Sequence, residues 1–447
     1  MLDKSFSVKV VNKIGDFKNT IEVDSDKSIS IRSFLIGSIS QNISKIKNVL
    51  ESDDVLATIE CLRKLGTKIK KVKKKEYEIF GKGLGSHYCK KGTILNFQNS
   101  GTLCRLLTGI LATTPGIDVL ITGDSSLKKR NMGKLIGLMN QFGAEFFPKN
   151  KFYLPLRMIS SEMPVGIKYK AGVSAQLKSA VALASINSFG VTTIIEEEKS
   201  RDHTENMLLS NPNVIKIKKN KKNIIKIFGK NYLNPLNISV CSDPSAAAFY
   251  TALTLLNKKS YLKIKNVGLN KTRIGFYELL KKHGAKINFK NIKKINNEVT
   301  GDIHVVSSKI RPIKASEIFY VKSTDEFPIL FCIAALTKGV SVFKGISDLA
   351  NKESNRITEM QKVLKQIGIK SNFSKGQIKI FGNPDIKYLN KNIKIPNLGD
   401  HRICMSAMVM SLITGVKAYI KNFETVNTSS PNFLKIIKSL GAKFETY

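Results

Sequence analysis

The chain has few acidic residues and is therefore strongly basic, yet it also has few arginines. Only ten of its 73 lysine and arginine residues are arginine, and 34 aspartates and glutamates leave a formal net charge of +39. It also has no run of about 18 or more apolar residues and no Cys/His spacing typical of a metal site, and its first ten residues do not have the pattern expected of a signal peptide or an Arg-rich transit peptide. We therefore expect a cytoplasmic protein without metal or membrane partner, whose six cysteines are free and mostly buried.

The excess of lysine first suggests a nucleic-acid partner, because basic side chains are attracted to phosphate backbones. Much of the lysine, however, lies in short polar spacers rich in asparagine and isoleucine, such as 68–75, 216–230 and 286–294. That distribution is typical of a compositional bias rather than of a binding surface. Arginine can hold a carboxylate or phosphate through two parallel hydrogen bonds, which lysine cannot do. The scarce arginines are therefore the first residues to examine for function.

An apolar helix end, a glycine and a short strand recur along the chain. The glycine should supply a left-handed cap that ends the helix, and it occurs at Gly66, Gly143, Gly284, Gly368 and Gly441. The spacing is about 75 residues and nearly double between Gly143 and Gly284, so a degenerate copy without glycine is expected near Met207. Six units predict an α/β protein of two domains with three units each. The break should fall near 232–242, where Asp243 is expected to cap a new helix.

Six of the ten arginines lie at glycine turns or predicted helix starts: Arg32, Arg105, Arg130, Arg201, Arg356 and Arg402. Helix N-termini already attract anions, so these positions together predict a pocket for ligands with several negative charges. Each position alone could be a solvated surface or an ordinary cap. Lys27 and Glu353 supply groups for proton transfer. His203 beside Asp202 has no nucleophile elbow to accompany it, so we interpret that pair as structural.

The segment Asp348–Met360 is the most informative of these. If it opens a helix, Arg356 lies one turn beyond both Lys352 and Glu353, which places two cations and a carboxylate on one face. In the segment 323–328, which begins a very apolar helix, Asp325 is either an N-cap or a carboxylate able to accept a proton from a substrate hydroxyl.

The chain resembles the 5-enolpyruvylshikimate-3-phosphate synthase (3-phosphoshikimate 1-carboxyvinyltransferase) family over nearly its whole length. One such motif would be suggestive, whereas eight in the right order are highly specific. The resemblance rests on the motifs Asp26–Arg32, Asn99–Arg105, Lys129–Arg130, Ser174–Gln176, Ser200–Glu205, Asp325–Glu326, Lys352–Arg356 and Gly399–Arg402.

This resemblance implies a two-domain inside-out α/β barrel in which each domain has three βαβαββ repeat units and the domains close over substrate. The first domain would span 22–240, and the second would combine 1–21 with 241–447. It also implies a monomer that needs no cofactor and no metal, with no nucleic-acid or membrane partner.

The substrates implied are shikimate 3-phosphate and phosphoenolpyruvate. The first would contact Ser174, Ala175, Gln176 and Arg201 through its phosphate, and Ser28, Arg32, Asp325 and Lys352 through its ring groups. The second would contact Lys27, Gly101, Arg130, Arg356 and Arg402, while Asn99 could add hydrogen bonds and Gln176 would lie near both ligands. The 5-hydroxyl would add to C2 of the enol while Glu353 protonates C3; Asp325 and Lys27 would handle the hydroxyl proton, and phosphate would leave. The resemblance implies that the reaction would belong to the shikimate pathway to chorismate and aromatic amino acids, and that the enzyme would be a target of glyphosate.

The chain departs from the family pattern at two positions. Asn131 replaces a proline that often follows the arginine matching Arg130, and Thr428 occupies the position of a loop lysine found in some members. The motifs Ser174–Gln176 and Ser200–Glu205 look more like the glyphosate-tolerant class of the family. Gly101, however, is the small residue of glyphosate-sensitive members, so we expect inhibition.

Two alternatives remain. The related transferase acting on UDP-N-acetylglucosamine uses a loop cysteine near Lys128–Asn131, and this chain has none between Cys104 and Cys241. An RNA-binding or RNA-end-processing protein would explain the charge but not the placement of the arginines.

Overall fold

The structure is a computed structural model that describes residues 5–219, 221–385 and 391–447. The chain divides into two compact units. Unit 1 contains the described residues of 5–24, 241–294 and 299–447, and unit 2 contains those of 25–240 together with 295–298. Within these ranges, no helix is both long enough and apolar enough to cross a membrane.

The strands are short and distributed over the whole chain. They are β1 (Val8–Val10), β2 (Lys18–Ile21), β3 (Gln41–Lys47), β4 (Lys68–Lys73), β5 (Glu76–Lys82), β6 (Thr93–Asn96), β7 (Asp118–Thr122), β8 (Glu145–Phe147), β9 (Leu156–Ile159), β10 (Lys168–Ala171), β11 (Val191–Glu196), β12 (Ile215–Lys219), β13 (Asn223–Phe228), β14 (Asn237–Ser239), β15 (Tyr261–Gly268), β16 (Lys286–Ile295), β17 (Glu298–Val306), β18 (Lys314–Ala315), β19 (Gly339–Phe343), β20 (Lys370–Ser374), β21 (Gln377–Gly382), β22 (Asn392–Ile395), β23 (Lys417–Ile420) and β24 (Phe444–Thr446).

The helices alternate with these strands. They are α1 (Lys27–Ile39), α2 (Asp53–Lys64), α3 (Gly101–Ala112), α4 (Ser125–Lys128), α5 (Gly133–Gln141), α6 (Ala175–Ile186), α7 (His203–Leu208), α8 (Pro244–Leu256), α9 (Gly275–Lys282), α10 (Glu317–Ser323), α11 (Phe327–Ala335), α12 (Arg356–Gln366), α13 (His401–Thr414) and α14 (Phe433–Ser439). Three short 3-10 turns cover Thr324–Glu326, Ser347–Asn351 and Phe423–Thr428.

Among the residues that the structure describes, each unit contains three four-stranded sheets. In unit 2 their strand orders are β14-β3-β5-β4, β6-β7-β9-β8 and β10-β11-β13-β12, and in unit 1 they are β16-β17-β15-β2, β18-β19-β21-β20 and β22-β23-β1-β24. Every sheet joins one parallel pair to an antiparallel neighbour, for example β6 with β7 and then β7 with β9. The same sheet pattern therefore occurs six times.

The core of each unit is built on long helices that are buried almost all round. In unit 2 these are α1, α3 and α6, and α3 packs against both of the others. In unit 1 they are α8, α11 and α13, which pack against one another. Helix α11 has the sequence Phe-Pro-Ile-Leu-Phe-Cys-Ile-Ala-Ala, and a helix that is apolar on every side is stable only when it is fully buried.

The predicted local signals are confirmed where the structure describes them. Gly66, Gly143, Gly284, Gly368 and Gly441 all have φ between +81° and +101°, the left-handed conformation expected of a helix-ending glycine. The carboxylate of Asp243 accepts a hydrogen bond from the N–H of Ser245 at 2.7 Å and so caps α8. All six cysteines lie in the described ranges, and all except the partly exposed Cys89 are buried, as expected.

Candidate active site

In unit 2, the candidate residues lie at the starts of α1, α3 and α6, the three helices of its core. Asp26, Ser100 and Ser174 are the respective N-caps, and each side chain accepts a hydrogen bond from a backbone N–H of the first turn. Lys27 is therefore the first residue of α1, Gly101 of α3 and Ala175 of α6. The starts of three helices combine their unpaired N–H groups and positive dipole ends, so this part of unit 2 is suited to anions.

A chain of polar contacts links the starts of α3 and α6. The Arg105 guanidinium donates to Oε1 of Gln176 at 2.8 Å, and the Gln176 amide donates to Oγ1 of Thr102 at 3.0 Å. Arg130 follows the short helix α4 and donates to Oδ1 of Asn99 and, at 3.3 Å, to Oγ of Ser126. These contacts join two of the predicted motifs through an arginine–glutamine pair.

Gly101 lies against both guanidinium groups. A Cβ at this position would be 2.7 Å from Nη1 of Arg105 and 2.9 Å from Nη1 of Arg130. Ordinary van der Waals contacts begin at about 3.4 Å, so only glycine leaves both side chains where they are.

The two cations of α1 have different surroundings. Arg32 is 3% exposed; it donates to Oγ1 of Thr204 at 2.9 Å, to Oγ of Ser179 at 3.1 Å and to the carbonyl of Ser28 at 3.0 Å. The Lys27 ammonium lies 3.0 Å from Oδ2 of the buried Asp54. Arg32 therefore connects α1 to α6 and α7, whereas Lys27 remains partly accessible at the helix start.

His203 has a structural partner, in agreement with the interpretation from sequence. Its Nδ1 lies 2.7 Å from Oε1 of Glu298, and the same oxygen accepts a hydrogen bond from the Asn206 amide at 3.0 Å. Arg201, two residues earlier, is partly exposed in the segment between β11 and α7. His203 therefore begins α7 and is held there by the carboxylate of Glu298.

In unit 1, Arg356 is the centre of the candidate site. It is 1% exposed, and its guanidinium contacts three carboxylates. Nε lies 2.9 Å from Oδ2 of Asp400, Nη2 lies 2.6 Å from Oε2 of Glu353, and Nη1 lies 3.6 Å from Oδ1 of Asp325. Burial alone would lower the pKa of Arg356, but Asp400, Glu353 and Asp325 outweigh it and raise that pKa.

The helix considered for Asp348–Met360 does not form as one piece, and that prediction is wrong. A 3-10 turn ends at Asn351, Lys352 is extended with ψ −156°, and α12 begins only at Arg356. The reason is local: the Asn355 side chain accepts the N–H of Thr358 at 3.2 Å and caps α12 there. Lys352 pairs instead with Asp348 at 2.6 Å. Glu353 nevertheless reaches Arg356 from the loop.

Asp325 is not a side-chain cap, so that interpretation of it is also wrong. It lies in the 3-10 turn Thr324–Glu326 between α10 and α11, and the N-cap of α11 is Glu326, without a side-chain cap bond. Glu326 itself is buried and accepts a hydrogen bond from Oγ of Ser245. The turn therefore leaves the partly exposed Asp325 carboxylate near Arg356.

Asp400 is the important residue that sequence reasoning missed. It caps α13 by accepting the N–H of Arg402 at 2.9 Å, and it also pairs with Arg356 and accepts Oγ–H of Ser354 at 2.9 Å. Aspartate before an apolar helix is a common N-cap, but no local sequence signal connects Asp400 to Arg356. Arg402 is 4% exposed and lies over the ring of Phe249 at 5.8 Å. Thr428, which stands at the late-loop position, has its Oγ1 3.5 Å from Nδ1 of His401.

Several of the predicted residues lie together in two sets. In unit 2, helix starts with cations and hydroxyl groups form one set; in unit 1, buried Arg356 and its carboxylates form the other. In the described ranges, no group of three or more His, Cys, Asp or Glu side chains could hold a metal ion. The fold is of the α/β class, and the arginines and carboxylates at the starts of its buried helices are suited to strongly anionic ligands.

Comparison with known proteins agrees with this class. The model of the EPSP synthase (3-phosphoshikimate 1-carboxyvinyltransferase) family matches residues 11–437. A 3-phosphoshikimate 1-carboxyvinyltransferase of Zymomonas mobilis is 36% identical over 440 residues, which is 98% of this chain and 97% of that protein. One of Petrotoga mobilis is 37% identical over 422 residues, 94% and 96% of the two chains.

Solved structures give the same result. The EPSP synthase of Acinetobacter baumannii superposes with a TM-score of 0.84 and 32% identity, covering 99% of this chain and 100% of that one. The enolpyruvyl transferase NikO of Streptomyces tendae has a TM-score of 0.77 over 99% of both chains at 12% identity, which is evidence for the fold alone. The chain belongs to the EPSP synthase family, and it is a transferase of the shikimate pathway.

Proposed function

We propose that this chain transfers the 1-carboxyvinyl group of phosphoenolpyruvate to the 5-hydroxyl of shikimate 3-phosphate and releases phosphate. Family membership supports the reaction. The structural observation that carries the assignment is Arg356, a buried cation in contact with the carboxylates of Asp325, Glu353 and Asp400. This group of side chains can hold a carboxylate ligand and move protons beside it.

The helix starts of unit 2 serve the shikimate 3-phosphate. Its phosphate is held by Ser174, Ala175 and Gln176 at the start of α6 and by Arg201, where N–H groups, a hydroxyl and a guanidinium suit a dianion. Its ring groups are held by Ser28, Arg32, Asp325 and Lys352. Most of this is positioning, which fixes the 5-hydroxyl for attack.

Phosphoenolpyruvate is held by cations at the other helix starts, namely Lys27, Arg130, Arg356 and Arg402, with Asn99 and Gly101 beside them. Its carboxylate takes the place of the Glu353 carboxylate at Arg356, because a guanidinium prefers one bidentate anionic partner. Glu353 then loses the cation that stabilises its ionised form and can carry the proton delivered to C3. Asp325 and Lys27 handle the hydroxyl proton as the C–O bond forms: the Asp325 carboxylate accepts it, and the Lys27 ammonium stabilises the negative charge that develops on the oxygen.

The architecture and setting complete the proposal. Three sheets around buried helices in each unit support the inside-out barrel of three βαβαββ repeats per domain, with 22–240 as the first domain and 1–21 with 241–447 as the second. A monomer in the cytoplasm, with no cofactor and no nucleic-acid or membrane partner, and sensitivity to glyphosate stay predictions.

The reaction is tested by phosphate release from purified protein given both substrates, with each substrate alone as a control. Glu353→Gln should bind shikimate 3-phosphate as the wild type does but lose about 10²- to 10⁴-fold in turnover, the usual contribution of a general acid. Glu359→Gln is the matched control, because Glu359, which lies on α12 itself, forms an ion pair of the same i,i+3 spacing with Lys362 at 2.8 Å.

Phosphate release that needs both substrates and survives in Glu359→Gln would establish the reaction. If the wild-type protein releases no phosphate and calorimetry detects binding of neither substrate, the proposal is wrong. UDP-N-acetylglucosamine in place of shikimate 3-phosphate tests the related reaction, and RNA binding at several salt concentrations tests the remaining alternative.

A further inference from the structure

A fully buried ionic cluster lies behind the start of α6. The ammonium of Lys178 is 2.8 Å from Oε1 of Glu196 and 2.6 Å from Oε1 of Glu205, and the three side chains are only 1%, 0% and 2% exposed. None of them can touch a ligand from this position. Removing two carboxylates and an ammonium from water is costly, and apolar residues of similar size often serve stability as well or better. The cluster therefore needs an explanation beyond general stability.

The cluster connects the elements that carry the proposed phosphate groups. Lys178 lies one turn after Ser174, and its N–H donates to the Ser174 carbonyl at 3.2 Å. Glu196 is the last residue of β11, and its Oε1 also accepts the N–H of Ser200 at 3.1 Å and the Ser200 hydroxyl at 2.7 Å. Ser200 directly precedes Arg201.

The other carboxylate lies on the far side of Arg201. Glu205 belongs to α7, which begins two residues after Arg201. The Lys178 ammonium thus contacts Glu196, which precedes Arg201 in the sequence, and Glu205, which follows it. Lys178 itself belongs to the first turns of α6. Burial raises the pKa of Glu205, with Lys178 opposing it, while the two carboxylates raise the pKa of Lys178 although burial would lower it. The ammonium therefore keeps its charge inside the fold.

We propose that Lys178 is a positioning residue. It fixes the position of Arg201 relative to the start of α6, so that both can bind the phosphate of the substrate. A phosphate bound by Ser174, Gln176 and Arg201 needs both elements at once, and a shift of about 1 Å between them would weaken its binding strongly. This inference rests on the proposed function, because it takes the phosphate of shikimate 3-phosphate as the ligand.

Lys178→Met removes the ammonium and keeps the length and apolar volume of the side chain. We expect the KM and Kd for shikimate 3-phosphate to rise about tenfold or more, since two charge-assisted contacts are lost, while the KM for phosphoenolpyruvate changes less than about threefold. The Kd of shikimate, which lacks the phosphate, should stay within about threefold of the wild-type value. A general loosening of unit 2 would instead weaken all three ligands alike.

Lys170→Met is the matched control. Lys170 forms an ion pair with Glu197, the neighbour of Glu196, at 3.0 Å, but both side chains are more than half exposed. Lys170→Met should therefore leave the KM and Kd values of all three ligands unchanged. If Lys178→Met folds and binds shikimate 3-phosphate as the wild type does, or if it weakens shikimate equally, the inference is overturned.

Should Lys178→Met not fold, Ser200→Ala decides the matter, because it leaves the three charges in place and removes only the hydroxyl contact with Glu196. The inference is supported if the Kd of shikimate 3-phosphate rises about threefold or more while the Kd of shikimate is unchanged. It is overturned if the ratio of these two Kd values is the same as in the wild type. Failure of the proposed function is distinguishable, because it would appear as absence of phosphate release in the wild-type protein itself.

Discussion

Replacing Gly101 by alanine should weaken phosphoenolpyruvate binding without harming the fold. The new Cβ would lie 2.7 Å from Nη1 of Arg105 and 2.9 Å from Nη1 of Arg130, so both guanidinium groups must retreat. Both are ends of flexible side chains, and the backbone of Gly101 is not in the left-handed region. Alanine can therefore be accommodated, but only by moving Arg130, which we assign to phosphoenolpyruvate, together with its neighbour Arg105.

The size of the effect follows from the size of the displacement. Ordinary contact with the new Cβ needs about 3.4 Å, so each guanidinium must move by about half an ångström or more. Since a misplacement of about 1 Å at a reacting group can cost about a hundredfold, we expect the KM for phosphoenolpyruvate to rise about ten- to hundredfold. Alanine is a better helix former than glycine, so the free energy of unfolding should stay constant or rise by up to about 1 kcal/mol.

Steady-state kinetics with each substrate varied in turn, together with urea unfolding, would measure both effects. Gly137→Ala is the matched control, because Gly137 is an exposed glycine of α5 with no atom within 4 Å of the position that a Cβ would take, so only the stabilisation is expected there. An unchanged KM for phosphoenolpyruvate in Gly101→Ala, or an equal rise in the KM for shikimate 3-phosphate, would refute the reasoning.

Two further predictions concern single residues of each unit. Arg356→Lys keeps the positive charge but loses the planar guanidinium that reaches both Asp400 and Glu353. The kcat/KM for phosphoenolpyruvate should therefore fall about ten- to hundredfold, which corresponds to the loss of one charge-assisted hydrogen bond. An equal kcat/KM for the wild type and the variant would contradict this prediction. Burial lowers the pKa of His87 from 6.5 to about 4, so the folded state favours the neutral ring. The neutral His87 ring therefore makes its full contribution to the free energy of unfolding above pH 6.5. This contribution, about 3 kcal/mol in total, is lost as the pH falls towards 4. His87→Gln should lack this loss when urea unfolding is compared at pH 7 and pH 4, and parallel pH profiles for the two proteins would contradict the prediction.

Much of the architecture could be predicted because its signals are local. A glycine that ends a helix needs only its own backbone conformation, and all five predicted glycines adopt it. The starts of α3 and α6 follow from Ser100 and Ser174, whose side chains bond to backbone N–H groups three residues on. The helix considered for Asp348–Met360 failed for a reason of the same kind, because Asn355 caps the helix later than the charge pattern suggested.

The site itself depends on contacts that no local pattern contains. Asp400 reaches Arg356 from 44 residues away in the chain, and Gln176 reaches Arg105 from 71 residues away. The sequence by itself determined which residue types stand at the helix starts, since capping and helix termination are decided within one turn. Only the tertiary structure decided which carboxylate neighbours which cation, because that depends on how buried helices pack against one another around each core.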